Sequence, residues 1–395
     1  MARLGDYIEQ IRGVSYKPED VCTPEDVDAV AILRANNIQD DGLVFDDLMY
    51  VKKSKVSTVQ YIKAGDIIVC ASSGSKNLVG KAAMANEDVP ISFGAFCKVV
   101  RPKKLTPSYL GHYFQCPKYR KKISELAGGA NINNIRNEHI DELDITIVAE
   151  EEQAKIVCEL DKVSSLIFLR KQQLSKFDEL VKSRFIEMFG DPTLNPFGWK
   201  IVNIAEVVGG KVTNGFFAKR DEYMDDGNVK VLGVANIVNR MYSNVKDLPR
   251  TNGTASDIQK FEVRYGDMLF CRSSLVAEGI GKASIVPHDV PPNTLFECHV
   301  IRLPLDLNKC VPEFMQVLST TDYFRNQVIA QSKTATMTTI GQDGILKTMI
   351  ILPPIEKQKQ FLEFVNQTDK SKFEIQKSLE KLETLKKALM QKYFG

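Results

Sequence analysis

The sequence contains an internal repeat that spans most of its length, and this repeat restricts the possible folds more than any other feature. In both copies a Gly-Asp pair precedes a short apolar run that ends in Cys, and the copies lie 201 positions apart at residues 65–70 and 266–271. The second copy then has four additional residues, which we assign to a longer loop at residues 306–309, and from there on matched positions lie 205 residues apart. Further matched segments are 80–82 and 281–283, 119–120 and 324–325, and 189–190 and 394–395. A period this long is typical of two homologous modules in one chain and is too long for a solenoid, so we predict a covalent pseudo-dimer.

Each copy begins with strand signals and ends with a helix signal. Short apolar runs bounded by Gly, Ser and Pro predict strands, and the pair Thr106-Pro107 predicts a helix with Thr106 as its N-cap. The last part of each copy is a long segment without Gly or Pro. We therefore expect an α+β fold with two homologous strand-rich globular domains, each followed by a long helix. The predicted boundaries are residues 1–150 for the first domain, 151–190 for the first long helix, 191–199 for the linker, 200–355 for the second domain and 356–395 for the second long helix.

Apolar residues in the two long segments recur at alternating spacings of four and three, which is the pattern of a coiled coil. Charged positions of one stripe match apolar positions of the other, since Arg170 corresponds to Ile375 and Lys372 to Ile167. This offset disfavours self-pairing, so we predict that the helices, each about 57 Å long, pair with each other. The alternative is that each helix lies on its own domain. The predicted pairing residues are Ile156, Leu160, Val163, Ile167, Leu174, Phe177, Val365, Ile375, Leu379, Leu382 and Leu389.

Residues of the kind that enzymes use for catalysis are missing from the matched parts of the copies. Eight cysteines without a CxxC spacing and four scattered histidines argue against a metal site. Residues 74–82 look like a phosphate-binding loop, but five residues separate the glycines and Ala82 replaces the Ser or Thr that binds magnesium. The sequence therefore predicts recognition without catalysis. It also has no apolar run long enough to cross a membrane and no signal peptide, so we expect a cytoplasmic protein.

Outside the matched skeleton the loops of the two copies differ, and they contain residue types that read DNA. Asn pairs with adenine, Arg with guanine and the Thr methyl group with thymine, while Lys and Ser bind phosphates. For any single residue the alternative is a polar side chain that merely faces water. Because the net charge is only +2, any positive surface must be local, or a second subunit must contribute to it. The predicted DNA-binding residues are Asn37, Ser73, Ser75, Lys76, Asn77, Lys81, Asn131, Asn133 and Asn134 in the first copy, and Asn236, Arg272, Ser273, Ser274, Lys282, Lys333, Thr334, Thr336 and Thr338 in the second.

The order of module, helix, module and helix resembles the specificity subunit of bacterial type I restriction-modification systems. Supporting segments are LPPIEKQ at residues 352–358, KFDEL at 176–180, and the Gly-Asp and Gly-Lys pairs at 266–267 and 281–282. The first copy departs from the pattern because VAEEEQ at residues 148–153 lacks the double proline.

The resemblance implies that each module is a target recognition domain for one half of a split DNA sequence. It also implies that the two helices pair antiparallel and set the gap between the half-sites. Two methyltransferase subunits, which bind S-adenosylmethionine and methylate adenine, would join the chain, as would two motor-nuclease subunits where restriction occurs. The chain itself would bind no cofactor. A protein-interaction scaffold without DNA contact is the alternative function, and a nucleotide-dependent enzyme that uses Lys81 is a third.

Overall fold

Two compact units make up the protein. The computed structural model describes residues 1–40, 42–127, 133–334 and 337–395. Unit 1 consists of residues 1–173 and 375–395, and unit 2 consists of residues 174–374. Each unit therefore contains one module and a part of both long helices, whereas the sequence suggested domains and helices in linear order. Among the described residues, no helix has the length and apolar character required to span a membrane.

Both units combine short strands with helices. The strands of the first copy are β1 (Ala2–Arg3), β2 (Ile8–Arg12), β3 (Ala29–Leu33), β4 (Ile38–Gln39), β5 (Gly42–Leu43), β6 (Met49–Lys52), β7 (Ile67–Cys70), β8 (Ser72–Ser73), β9 (Ala82–Met84), β10 (Ser92–Phe93), β11 (Cys97–Pro102), β12 (Asn133–Asn134) and β13 (Asp144–Ile145). Its helices are α1 (Pro107–Gln115), α2 (Pro117–Leu126), α3 (Asn137–Asp141) and the long helix α4 (Glu150–Phe189).

The second copy repeats much of this order, with differences among the short strands and helices that precede its strand at Asp267–Cys271. Its strands are β14 (Lys200–Asn203), β15 (Thr213–Asn214), β16 (Val229–Leu232), β17 (Arg250–Thr251), β18 (Asp267–Cys271), β19 (Ser273–Ser274), β20 (Ala283–Ile285), β21 (Thr294–Phe296), β22 (Val300–Pro304), β23 (Lys333–Thr334), β24 (Thr338–Thr339) and β25 (Met349–Leu352). Its helices are α5 (Val234–Ile237), α6 (Ala255–Phe261), α7 (Pro312–Ser319), α8 (Asp322–Ala330), α9 (Gln342–Leu346) and the long helix α10 (Ile355–Phe394).

The sheets repeat with the same strand order in both copies. A four-stranded antiparallel sheet runs β2-β11-β7-β9 in the first copy and β15-β22-β18-β20 in the second. A three-stranded sheet runs β10-β3-β6 in the first and β21-β16-β17 in the second, and its β10-β3 and β16-β21 pairs are parallel. The repeat found in the sequence is therefore a repeat of topology.

Each four-stranded sheet is covered on both faces. Successive side chains of a strand point to opposite faces. Along β7, Ile67 and Val69 join a core with helices α1 and α2, while Ile68 and Cys70 join a core with the three-stranded sheet. Strand β18 alternates in the same way between its two cores. Burial on both faces explains why these strands read as continuous apolar runs.

In unit 1 the beginning of α4 and the end of α10 complete the helix-side core. Ile156 and Leu160 of α4 share this core with Met390 and Phe394 of α10. The Phe394 ring lies 5.1 Å from the ring of Tyr109 in α1, measured between centroids. The core of the first module therefore includes residues from the end of the second copy.

In unit 2 the end of α4 and the beginning of α10 complete the helix-side core in the same way. The rings of Phe185 and Phe189 lie 5.7 and 5.6 Å from the ring of Phe361. Farther from these rings, Lys372 Nζ lies 2.5 Å from the Asp178 carboxylate. Because positions descend along α4 as they ascend along α10, the two helix segments in this unit are antiparallel.

The predicted pairing residues are buried to different degrees. Ile156, Leu160, Val163, Ile167, Val365 and Leu379 are at most 8% exposed. The others, Leu174, Phe177, Ile375, Leu382 and Leu389, are half-buried. A continuous coiled coil over the full length of both helices stays a prediction.

A repeated glutamine connects each long helix to the start of a shorter one. Gln153 Oε1 accepts a hydrogen bond from the Thr106 backbone N–H at 3.0 Å, and Gln358 Oε1 accepts one from the Val311 N–H at 2.9 Å. Thr106 occupies the N-cap position of α1, but its side chain makes no capping bond. The predicted N-cap position of Thr106 is therefore confirmed, and the side-chain bond at this helix start is made by Gln153 to the Thr106 N–H.

The same glutamines define where the long helices begin. The Gln153 amide donates to the Val148 carbonyl at 3.0 Å, and the Gln358 amide donates to the Pro353 carbonyl at 2.8 Å. Helix α4 starts at Glu150 and α10 at the equivalent repeat position, 205 residues later. The double proline that the first copy lacks is thus not needed for the turn into the helix.

We expect Phe361→Ala to lower the free energy of unfolding of unit 2 by about 3–5 kcal/mol, since it removes a fully buried ring from an aromatic cluster. Phe373→Ala on the same helix is the matched control, because that ring is 65% exposed and its loss should cost less than about 0.5 kcal/mol. Urea unfolding can be followed by the fluorescence of Trp199, the single tryptophan of the chain, which bonds to the Phe189 carbonyl. Equal destabilisation by both variants would contradict this packing.

Candidate nucleic-acid interface

In unit 1 the predicted loop residues meet in a short two-stranded pairing that follows strand β7. We call it ribbon 1, formed by Ser72–Ser73 and Asn133–Asn134 in antiparallel register. Buried Ile135, one of the repeated residues, donates its N–H to the Ala71 carbonyl at 2.8 Å and so fixes the second strand at the end of the sheet. Residues 74–78 follow the first strand and are exposed. Ribbon 1 therefore places polar side chains on a surface held by the buried sheet.

Unit 2 has the equivalent ribbon 2, for which the structure describes three strands. Ser273–Ser274 pairs with Thr338–Thr339, which also pairs with Lys333–Thr334. Its anchor is again a repeated isoleucine, since the Ile340 N–H donates to the Arg272 carbonyl at 3.0 Å. The two ribbons share a backbone frame and carry different side chains.

The ribbons and their loops bring together most of the predicted DNA-binding residues. In unit 1 these are Ser73, Ser75, Lys76, Asn77, Asn133 and Asn134, and in unit 2 they are Arg272, Ser273, Ser274, Lys333 and Thr334. Arg272 is half-buried, and its Nη1 donates to the Cys298 carbonyl at 3.2 Å. The predictions for Asn131 and Thr336 lie outside the described residues. The structure does not test DNA contact by any of these side chains, which stays a prediction.

Two predicted asparagines close their own loops. Asn37 is 2% exposed, and its side chain accepts from the Arg34 N–H at 2.8 Å and donates to the Asp46 carbonyl at 2.7 Å. Asn236 accepts from the Gly233 N–H at 3.0 Å, and its amide donates to a loop carbonyl at 3.1 Å. These bonds hold each asparagine to its own loop and leave one N–H and one lone pair of each amide without a partner among these bonds. The prediction that Asn37 and Asn236 bind DNA is untested and stays a prediction.

Thr338 is buried in ribbon 2. It is 2% exposed, and its hydroxyl lies 3.0 Å from the hydroxyl of Thr334 in the neighbouring strand. This contact holds the two strands of ribbon 2 together. DNA binding by Thr338, and by the exposed Thr334, stays a prediction.

Lys81 and Lys282 lie beside the sheet and have local partners. Lys81 Nζ is 3.3 Å from the Asp40 carboxylate, and Lys282 Nζ donates to the Asn239 side chain at 2.8 Å. After Lys81 the chain continues directly into strand β9. A phosphate-binding loop needs a helix N-terminus at this point, so the resemblance of residues 74–82 to such a loop is superficial.

Sequence reasoning did not assign a role to the repeated arginines Arg120 and Arg325. Arg120 donates through Nη1 to the Val79 carbonyl at 3.0 Å and through Nη2 to the Asn77 carbonyl at 2.8 Å. Arg325 donates through Nη2 to the Glu278 carbonyl at 3.0 Å, and burial lowers the pKa of its guanidinium. Their recurrence at an offset of 205 was the signal that could have identified them. Each arginine fixes the loop that follows the first strand of its ribbon.

Two cysteines that recur in the repeat donate hydrogen bonds to backbone carbonyls of the ribbons. Cys70 Sγ donates to the Ser72 carbonyl at 3.7 Å, and Cys271 Sγ donates to the Ser273 carbonyl at 3.3 Å. Burial raises the pKa of both thiols, so they are neutral donors near pH 7 and poor nucleophiles. Within the part of the chain that the structure describes, no cluster of His, Cys, Asp and Glu could hold a metal ion.

Comparison with known families identifies the class to which these ribbons and modules belong. The family model described as "Type I restriction modification DNA specificity domain" matches residues 1–177 and again residues 196–387. The chain belongs to this family, and its members of known name are non-catalytic specificity subunits of type I restriction-modification systems.

Individual relatives agree over nearly the whole chain. The StySPI specificity subunit of Salmonella potsdam is 30% identical over 413 residues, which cover 97% of this chain and 86% of the relative. The EcoKI specificity subunit of Escherichia coli K12 is 28% identical over 414 residues with the same coverage. A solved type I restriction-modification S subunit from M. genitalium has a similar fold, with a TM-score of 0.54 at 13% identity over 100% of this chain and 95% of that one.

We expect Arg120→Gln to loosen the loop at residues 77–81 without unfolding unit 1, because two backbone carbonyls lose a charged donor. Losing these bonds should lower the free energy of local opening by about 1–3 kcal/mol. Hydrogen exchange should then become roughly tenfold to hundredfold faster for the Gly80 amide, which donates to the Cys70 carbonyl, and for the Lys81 amide, which donates to the Leu78 carbonyl. Lys121→Gln, an exposed position on the same helix, is the control. Unchanged exchange in Arg120→Gln would show that the arginine does not hold the loop.

Proposed function

We propose that this chain recognises a DNA sequence made of two separate half-sites, with one module binding each half. The observation that carries the proposal is the contrast between the shared backbone frame and the differing side chains of the ribbons. Ribbon 1 and its loop present Asn, Ser and Lys, whereas ribbon 2 presents Ser, Lys and Thr. A duplicated frame with different polar groups suits two readers of different base sequences.

We further propose that the chain joins methyltransferase subunits, which bind S-adenosylmethionine and methylate adenine, and motor-nuclease subunits where restriction occurs. Membership of the specificity family supports this role, and the work on one solved structure with a similar fold, with a TM-score of 0.51 at 15% identity, concerns complex assembly of a type I restriction-modification system. Partners that supply catalysis and extra phosphate contacts also suit a net charge of only +2. Because the substrate is cellular DNA, we place the complex in the cytoplasm.

The modules can be tested by exchange. We expect that replacing residues 200–350 with the same region of a relative will change one half-site and leave the other half-site and the spacer unchanged. The measurement is sequencing of methylated adenines in cells that carry the hybrid. The reciprocal exchange of residues 1–149 is the matched control, and it should change the other half-site alone. A change in both half-sites from either exchange would contradict one module per half-site.

The long helices can be tested as a ruler. We propose that their length sets the spacer, so one added heptad after Gln173 in α4 and another after Glu374 in α10 should lengthen it by about 10 Å, or roughly three base pairs. The same heptads introduced as replacements, without a change of length, are the control and should leave the spacer unaltered. Methylation mapping gives the spacer directly, and an unchanged spacer in the lengthened chain would refute the ruler.

Binding to DNA itself separates the proposed function from a protein-interaction scaffold. The complex should bind duplex DNA with an affinity that falls steeply as salt rises, since neutralised phosphates release their counterions. A scaffold without DNA contact would bind its protein partners and show no affinity for duplex DNA at any salt concentration.

A further inference from the structure

Each unit contains a groove between its module and the long helices, and both grooves are lined with basic side chains. Groove 1, in unit 1, has the cationic lining residues Lys81, Arg120, Lys171, Lys386 and Lys387. Groove 2, in unit 2, has the cationic lining residues Lys182, Arg240, Lys282, Arg325 and Lys372.

Three cations occupy equivalent repeat positions in the two grooves. Lys81 and Lys282 match at the offset of 201, while Arg120 matches Arg325 and Lys182 matches Lys387 at the offset of 205. Lys182 lies on α4 in unit 2 and Lys387 on α10 in unit 1, so each groove obtains its third cation from the helix of the other copy. The same arrangement is thus built twice from different segments of the chain.

Acidic residues in the grooves compensate this charge only in part. In groove 2, Asp178 is paired with Lys372 at 2.5 Å, and Lys282 bonds to the neutral Asn239. In groove 1, Asp40 is paired with Lys81 at 3.3 Å, and Glu383 is the other acidic lining residue. Both grooves therefore keep a net positive charge against a chain whose total is only +2.

We propose that grooves 1 and 2 are the sites where the DNA backbone phosphates of the two half-sites are bound. The inference rests on the proposed function, which it deepens by assigning phosphate contacts to named side chains of the two grooves. The bases of the two half-sites differ, but the sugar-phosphate backbone is the same in both. Contacts to bases should therefore differ between the copies, as the ribbons do, and contacts to phosphates should be repeated, as these three cations are.

The position of groove 1 next to ribbon 1 favours DNA as the occupant over an acidic protein. Asn77 and Leu78 lie at the end of the loop that follows the first strand of ribbon 1, and both form part of the groove wall. Arg120 lines the groove and also bonds to the Asn77 carbonyl, so one side chain connects the groove to this loop. A duplex whose bases reach the loop would have its backbone within reach of the groove. Lys387, which is exposed, and its counterpart Lys182 in groove 2, also exposed, can meet a phosphate without rearrangement of the core.

The test uses Lys182→Gln, Lys387→Gln and the double variant in the complex with its methyltransferase subunits. The probes are a duplex that contains the target, defined by methylation mapping, and a duplex of unrelated sequence. Each single variant should bind both duplexes more weakly by the same factor, and the slope of log K against log salt should become shallower by about 0.9 for each lost phosphate contact. The double variant should lose about twice as much slope.

Lys176→Gln and Lys381→Gln are the matched controls, since both lysines are exposed on the same helices and neither lines a groove. They should leave the slope unchanged. An unaltered slope in the groove variants, or a loss of methyltransferase co-purification with unaltered DNA binding, would overturn the inference, and the second result would point to an acidic protein partner. A loss confined to the target duplex would also overturn it, because that outcome indicates base contact. If the wild-type complex bound neither duplex, the proposed function would fail together with the inference.

Discussion

Burial of the ends of the long helices is the constraint on which the rest of the structure depends. A helix of 40 residues with one apolar stripe must cover that stripe. In unit 1, Leu160 and Phe394 come from different copies and enter one core, and in unit 2 the same is true of Phe185 and Phe361. Each module is therefore completed by helix segments from both copies. This shared burial explains why the compact units cut across the linear order of domains and helices.

The ribbons follow from a second constraint, which is the burial of the four-stranded sheets on both faces. Strand β7 and residues 268–271 of β18 have only buried apolar and cysteine side chains, and the polar groups of the ribbons lie where these strands end. Ile135 and Ile340 tie the returning strand to that end, and Arg120 and Arg325 hold the loop beside it. A rigid support of this kind can carry different side chains without a change of fold, which suits a family whose members are specificity subunits.

Much of the skeleton could be predicted from the sequence because the repeat exposes it. Gly80 and Gly281 recur because both adopt positive φ, at 78° and 64°, where a side chain would be strained. Gln153 and Gln358 recur because they join two helix starts. Recurrence marks a residue as shared without saying whether it supports the fold or binds a ligand.

The local contacts of the predicted binding residues were harder to foresee, and the reason is physical. Asn37 and Asn236 have the chemistry that reads adenine, yet an asparagine amide can equally bond to its own backbone, and local bonds form at a smaller entropic cost. Thr338 faces inward because side chains alternate along even a two-residue strand. Which side of a loop faces outward depends on distant parts of the chain, and spacing alone does not reveal it.

The contact between Tyr109 and Phe394 has a consequence for biosynthesis. The centroids of the two rings are 5.1 Å apart, although Tyr109 is synthesised long before Phe394. The core of the first module therefore stays incomplete, with aromatic surface exposed, until the end of α10 has been synthesised. Domains usually fold in order of synthesis, and exposed apolar surface on such intermediates promotes aggregation. Nascent chains of this architecture should therefore depend on chaperones until α10 can pack into this core.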